Sequence, residues 1–379
     1  MNNECDKIYQ TDSQSDSRRS TNLELFRIIS MMFIVAHHYV VNSGMMDNMS
    51  ENPFAPNSLF FYLFGAWGKV GINCFIMITG YFMCKSHITL RKFVKLLLQI
   101  EFYRAIIYLI FVFLGYEIRS KRQFLLALIP IKTIGDGFTS AFLVFFLFIP
   151  FLNVLLKNIS EKMHIRLIIL CLFLYTFLGT LPLPYFKVTM NYVSWFVVIY
   201  FISSYVRLHP RKLFDSSLFW GIASAICVII SSLSIIWCLK RSWSAYYFIA
   251  VSNKILAVIT SFCLFMFFKN VRIPYIRTIN LIASASFGVL LIHANSDAMR
   301  MWLWKDTLHN AEVFSANTCY LHFICSVLGV YSICTIIDLI RIYLLEKPFF
   351  KYYDRYSTKL ISMFSSFEDN LLNKLNIES

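Results

Sequence analysis

Ten stretches of this chain are apolar and long enough to cross a lipid bilayer, and nothing else in the sequence constrains the fold as strongly. They are residues 24–43, 59–82, 93–114, 138–157, 164–182, 190–207, 217–239, 246–268, 279–301 and 317–342. A hydrocarbon core about 30 Å thick is crossed by about 20 helical residues. Inside lipid every backbone N–H and C=O must be satisfied within the segment or a closed barrel, so each stretch is expected to be a helix. Hydrophobic residues make up 58% of the chain and charged residues only 15%, against about 25% charged in an ordinary soluble domain. The expected fold class is an all-α integral membrane protein of about ten transmembrane helices, multi-pass in the cell (inner) membrane. Its expected parts are a polar tail over 1–20, a membrane domain over 21–345 and a short tail over 346–379 with an amphipathic stretch at 360–375.

The polar head is not followed by a short apolar run and a small-residue cleavage site, so it does not read as a signal peptide. The first apolar run is expected to be retained as a helix. Of the ten cysteines, those at Cys74, Cys171, Cys227, Cys263 and Cys334 lie in apolar runs, and no pair has CxxC or zinc-ligand spacing. They read as small buried hydrophobes, with no disulfide framework and no metal site.

The net charge of +14 reports orientation. With an even number of spans both ends fall on one side. If that side is cytoplasmic, 23 basic residues fall in the inward segments and nine in the outward loops. Such an excess is what a positive-inside arrangement requires, so cytoplasmic termini are expected. The loop 115–137 is the exception: Arg119, Lys121, Arg122 and Lys132 lie on the outer side. It is either an error in the span count or an outer element with a task. No basic face with interleaved aromatics lies outside the membrane, so nucleic acid is not an expected partner.

Ionisable residues within spans are costly, which makes each a candidate for function. The first span opens Thr21-Asn-Leu-Glu24, a capping box with Thr21 as N-cap. Arg27 and His38 are eleven residues apart, almost three whole turns and about 16 Å of rise, so they share a face. Arg27 is expected near the cytoplasmic interface and His38 near mid-membrane, with His37 about 100° away on another face. One reading is a polar conduit, in which Arg27 holds an anion and the His38 imidazole takes a proton or briefly carries a group. The other is that Arg27 snorkels and both histidines make helix–helix hydrogen bonds.

Further candidates follow along the chain. Gly71-Ile-Asn-Cys-Phe75 and Thr79-Gly-Tyr81 suit close helix packing. Arg91, Lys92 and Lys95 cluster at the start of the third span, where they bind phosphate or simply set topology. Glu101 and Arg104 are spaced to pair. His293 and Asp297 are four apart and are expected to face one side of a helix, either as a site that receives a hydroxyl or as a structural pair. Lys69 and Lys254 are lone cations that can snorkel.

Asn22-Leu-Glu-Leu-Phe-Arg27 through His37-His38-Tyr39 resembles the opening helix of the acyltransferase 3 family of integral membrane acyltransferases. Gly71–Tyr81, Arg91–Lys95, Trp195–Arg207, Ser286–Asn295 and Asp338–Pro348 follow in that family's order, so the resemblance covers about residues 20 to 350. It implies ten helices with cytoplasmic termini and an acyl donor, usually acetyl-CoA, used as co-substrate with no bound cofactor. The implied acceptor is a hydroxyl of a surface polysaccharide or of its lipid-linked glycan precursor. The family's Arg-to-His pattern falls on Arg27 and His38, the implied catalytic pair. Its basic pair falls in the cluster of Arg91, Lys92 and Lys95, the implied acyl-CoA phosphate site. The sequence there reads Arg-Lys-Phe-Val-Lys, in place of the family's double arginine. His293, Asn295 and Asp297 are assigned to the acceptor side. Some members carry a further esterase-like domain; here the expectation is action alone or with separate partners. The rival readings are a transporter or flippase of a lipid-linked sugar, and a structural scaffold. Repeats and Gly/Pro-broken helices, common in transporters, are not visible in the sequence.

Overall fold

A computed structural model describes residues 20–127, 129, 137–182, 188 and 190–356. The polar head, part of the loop 115–137 and the amphipathic stretch 360–375 lie outside these residues. The described residues form helices and connections without strands. The longer helices are α1 (Thr21–Val41), α2 (Pro56–Met83), α3 (Leu90–Phe113), α4 (Phe138–Asn158), α5 (Glu161–Thr180), α6 (Tyr192–Leu208), α7 (Ser217–Lys240), α8 (Ile255–Asn270), α9 (Arg277–His293), α10 (Asp297–Val313) and α11 (Cys319–Tyr356).

Seven of these, α1 to α5, α7 and α11, are long and apolar enough to cross a membrane. Each of the ten apolar stretches falls on a helix, but three depart from the expectation. α6 has 17 residues and α8 has 16. α8 begins at Ile255, because residues 246–254 form turns, and Lys254 therefore precedes a helix rather than lying inside one. The ninth stretch is broken: α9 ends at His293, and α10 sets off at 96° after three non-helical residues. α11 runs on to Tyr356, so the boundary expected at 345 falls inside a helix.

The packing follows membrane logic. On α7 the buried residues include Ser224 and Ser231, while Ile222, Ile226, Ile229 and Leu233 point outward. Ser231 Oγ meets Thr260 Oγ1 of α8 at 3.1 Å. Lipid gives no hydrophobic reason to bury leucine, so small and hydroxylated residues take the helix interface. α2 is the central helix, with every residue from Val70 to Ile78 buried. Asn73 fixes it in place: its Nδ2 donates to Ser252 O at 2.8 Å, and Trp195 Nε1 donates to its Oδ1 at 2.9 Å. Gly71 lets α1 approach, since a Cβ there would lie 2.5 Å from Ser30 O.

α1 starts one residue earlier than the capping box requires. Ser20 is its N-cap and makes no side-chain cap bond. The Thr21 hydroxyl instead accepts from Ile276 N at 3.2 Å and from Asn280 Nδ2 at 2.9 Å, tying α1 to the start of α9. Arg91 at the start of α3 bonds Asp354 at the end of α11. Arg91, Asn280 and Asp354 line one cleft, so the first and last described helices begin and end at the same face of the bundle.

Candidate active site

His38 lies in the last turn of α1, not half-way along it, because the helix is only 21 residues long. Its ring lines a cavity of about 600 Å³. His38 Nδ1 is 3.0 Å from His293 Nε2, and His293 Nδ1 is 2.6 Å from Val289 O one turn back on α9. These two contacts fix the tautomers of a neutral pair. A carbonyl only accepts, so His293 Nδ1 carries a hydrogen and its Nε2 a lone pair. His38 Nδ1 must then donate, which leaves His38 Nε2 as the free basic nitrogen. A partly buried imidazole held in one tautomer by a second group is an arrangement that suits general-base catalysis.

The cavity wall is polar. His37, Lys69, Arg104, Tyr108, Glu117, Tyr192, Asn295 and Arg300 contribute to it, with Ile34, Ile72, Phe138, Leu290 and Leu291 as the apolar part. Lys69 Nζ donates to Tyr192 Oη at 2.9 Å. Gly68 places Lys69 there: a Cβ at 68 would collide with the His37 ring, so α2 presses directly on α1 at this level. His37 Nδ1 is 2.6 Å from Gly65 O, which occupies that ring in holding α2. Arg104 pairs with Glu101 at 3.7 Å, as its spacing predicted, and also bonds Ile129 O and Ser140 Oγ.

The described start of the loop 115–137 folds back beside the cavity. Tyr108 Oη donates to Ile118 O at 2.9 Å, and Glu117 is in the cavity wall. Tyr116 Oη donates to Asp306 at 2.7 Å, a bond that raises the phenol above its usual range.

Arg27 is on the same stripe as His38 but is not in the cavity wall. Its guanidinium lies 3.7 Å from Glu24 and 5.9 Å from the centre of the Phe75 ring. Phe75 in turn packs on Phe138, which does line the cavity. Arg27 thus sits beyond an aromatic layer from His38.

At the other end of the bundle is a cleft of about 720 Å³. Arg91 and Lys95 line it, whereas Lys92 turns away to bond Ser86 Oγ and His87 O. Carboxylates already hold both lining cations: Arg91 with Asp354 at 2.7 Å and Lys95 with Glu346 at 2.6 Å. The cleft's remaining positive charge comes from Arg277, Lys347 and Lys351, with Arg341 paired to Asp338 and Glu346. α3 runs from this cleft to the cavity, and Arg91 to Tyr108 spans seventeen residues, about 26 Å.

The three acceptor-side candidates separate. His293 is fully buried and touches His38. Asn295 lines the cavity and donates to Leu291 O at 2.9 Å. Asp297 lies past the break, its side chain 94% exposed and paired with Arg300 at 3.1 Å. The expected common face of His293 and Asp297 does not exist, because the helix ends between them. Residue order alone reads Lys69 as a snorkelling cation and assigns no role to Tyr192, Tyr108, Glu117 or Arg300. Only the intramembrane charge of Lys69 signalled it; Tyr192 and Tyr108 carry no such signal.

The acyltransferase domain model of the acyltransferase 3 family matches residues 20–339. The chain belongs to that family. The match runs from the N-cap of α1 to the penultimate turns of α11's apolar run, so it takes in both histidines, the cavity and half of the residues that line the basic cleft. The acyltransferase 3 assignment makes this a membrane acyltransferase. No curated protein and no solved structure matches the chain.

Other family-type segments hold this site together. Arg207 Nη1 donates to Tyr81 Oη at 2.9 Å, joining α6 to α2. Asp338 of α11 is fully buried, accepting from Arg341 Nε at 2.7 Å and Tyr103 Oη at 2.8 Å. Its carboxyl occupies the space that a side chain at Gly288 would need. The acyltransferase 3 segment Ser286–His293 therefore carries a glycine at the contact with Asp338 and a histidine at the contact with His38.

Proposed function

We propose that this protein is an O-acyltransferase that moves an acyl group, acetyl in the simplest case, from cytosolic acyl-CoA to a hydroxyl of a cell-surface carbohydrate or its lipid-linked precursor. The observation that carries this reading is the His38–His293 contact beside a polar cavity, at the opposite end of the bundle from a basic cleft. The cleft end bears the excess of basic connections and is taken as cytoplasmic, with about ten membrane passages. The phosphates of acyl-CoA would bind Arg277, Lys347 and Lys351, with Arg91 and Lys95 joining as their carboxylates yield. Lys92 has a local role in this scheme.

The thioester would reach the cavity from the cleft side. His38 Nε2 removes the proton of the acceptor hydroxyl as its oxygen attacks the thioester carbon. The C–O bond forms, the C–S bond breaks, and the thiolate takes the proton back from the imidazolium. The products are the ester and free CoA. His293 keeps the hydrogen of His38 on Nδ1 throughout. Arg27 stabilises charge along the route between the two openings, and Asn295 orients the acceptor. Asp297, exposed and paired with Arg300, contributes only at the mouth.

The test is transfer of labelled acetyl from acetyl-CoA to a glycan acceptor by purified protein. His38→Ala is expected to keep the helical fold and lose about 10² to 10⁴-fold in rate. Full activity in that variant removes His38 from the reaction. A flippase would move the lipid-linked sugar across vesicles without releasing CoA.

A further inference from the structure

The wall around His38 carries three cations, Lys69, Arg104 and Arg300, and one carboxylate, Glu117. Their engagements differ. Arg104 is held by Glu101, Ile129 O and Ser140. Arg300 pairs with the exposed Asp297, but its Nε is buried and meets no hydrogen-bond partner among the described residues. Lys69 donates to the Tyr192 hydroxyl and has no carboxylate partner among the described residues. Lys69, Arg300 and the His38 ring line one and the same cavity.

Lys69 brings a positive charge with no carboxylate on it, and Arg300 an N–H with no acceptor, to the wall of one cavity. Cationic side chains lining a cleft attract negative charge. One occupant would answer both. We infer that the acceptor carries an anionic group, a phosphate or a carboxylate, which sits between Lys69 and Arg300 beside the His38 ring. This rests on the acyl-transfer reading and narrows its acceptor class. The phosphates of the donor do not fill this place, because the pantetheine arm separates them from the sulfur that must lie at His38. Lys69 and Arg300 are then acceptor-binding residues, with Tyr192 holding the Lys69 ammonium in position.

The experiment compares four acceptors in labelled acetyl transfer by detergent-solubilised protein. One pair is an oligosaccharide bearing a uronate and its carboxyl-reduced neutral counterpart. The other is a neutral oligosaccharide on a polyprenyl diphosphate and the same oligosaccharide free. In at least one pair the anionic member should exceed the neutral one by about tenfold to a hundredfold in kcat/KM, the range of a charge-assisted hydrogen bond. A preference within the first pair places the charge on the sugar, and within the second on the carrier. Lys69→Met and Arg300→Gln should each cut that ratio by about tenfold, and Lys69→Arg should preserve it. If Lys69→Met fails to fold, the wild-type ratio and Arg300→Gln decide. Equal transfer within both pairs, or a ratio unchanged in the substituted proteins while His38→Ala is inactive, overturns this inference and leaves the acyltransferase reading standing. Absence of CoA release with any acceptor overturns both.

Discussion

His38 Nδ1 and His293 Nε2 lie 3.0 Å apart, and the second ring is anchored by its own helix through Val289 O. The contact joins the last turn of α1 to the last turn of α9. It orients one imidazole through another, and it leaves a single nitrogen, His38 Nε2, for chemistry. His293 is in this sense a positioning residue.

The positioning role predicts a split between substitutions at 293. His293→Gln can still offer an acceptor oxygen to His38 Nδ1 and is expected to retain about a tenth of the wild-type rate. His293→Leu offers none and should lose about 10² to 10³-fold, in kcat rather than in the KM of either substrate. Steady-state kinetics with labelled acetyl-CoA read both. Equal losses in the two variants would mean that His293 only fills space.

A second prediction concerns the basic cleft. Arg91 is already satisfied by Asp354, while Arg277, Lys347 and Lys351 are not held by carboxylates among the described residues. Replacing all three of the latter by glutamine should raise the KM for acetyl-CoA by about tenfold or more. Arg91→Gln alone should change it less. Asp354→Asn should lower it by releasing Arg91. Titration of acetyl-CoA at fixed acceptor gives each value.

The buried pair of Asp338 and Arg341 makes a stability prediction. Asp338→Asn removes one of the two carboxylates on the buried Arg341 guanidinium and leaves Glu346, so the cost should fall below the about 3–5 kcal/mol of a wholly broken buried pair. Thermal unfolding in detergent should show a clear fall in Tm. Asp354→Asn, at an ion pair whose side chains are half exposed, should change Tm little.

Close helix contact gives a fourth. Gly71→Val must push Ser30 O, and α1 with it, away from α2, an overpacking that costs about 1–3 kcal/mol. Gly115→Val meets no atom within 4 Å, although its positive φ still carries backbone strain. The Gly71 variant should therefore lower Tm through packing, and a compensating Ser30→Gly should not restore it, since the obstructing atom is backbone.

Much of this arrangement was readable from residue order, and the failures have physical causes. Hydropathy placed a stretch on α1 to α9 and α11, but it missed most of α10, the run of α11 on to Tyr356, and the interruptions at 246–254 and 294–296, where polar and small residues break an apolar run without ending it. The helical period set Arg27 and His38 on one side and His37 on another. It did not show that His38 falls in the last turn of the helix, because α1 stops at Val41, three residues beyond it. The same period joined His293 to Asp297, since four residues share a face only while the helix continues. Lys69 could not be told from a snorkelling cation, because its neighbour Tyr192 comes from α6. The phosphate-type cluster was visible at Arg91–Lys95, but the carboxylates that occupy it come from the far end of α11.

The glycine at 288 has a mechanical result. With the Asp338 carboxyl seated against its backbone, α9 can neither rotate nor slide without disturbing a buried ion pair that continues through Arg341 and Glu346 to Lys95 at the opposite opening. The pitch and register of the ring at 293 are thus set from below, by a latch five residues away, and any event that loosens Lys95 or Glu346 tugs on the same rod that steadies His38.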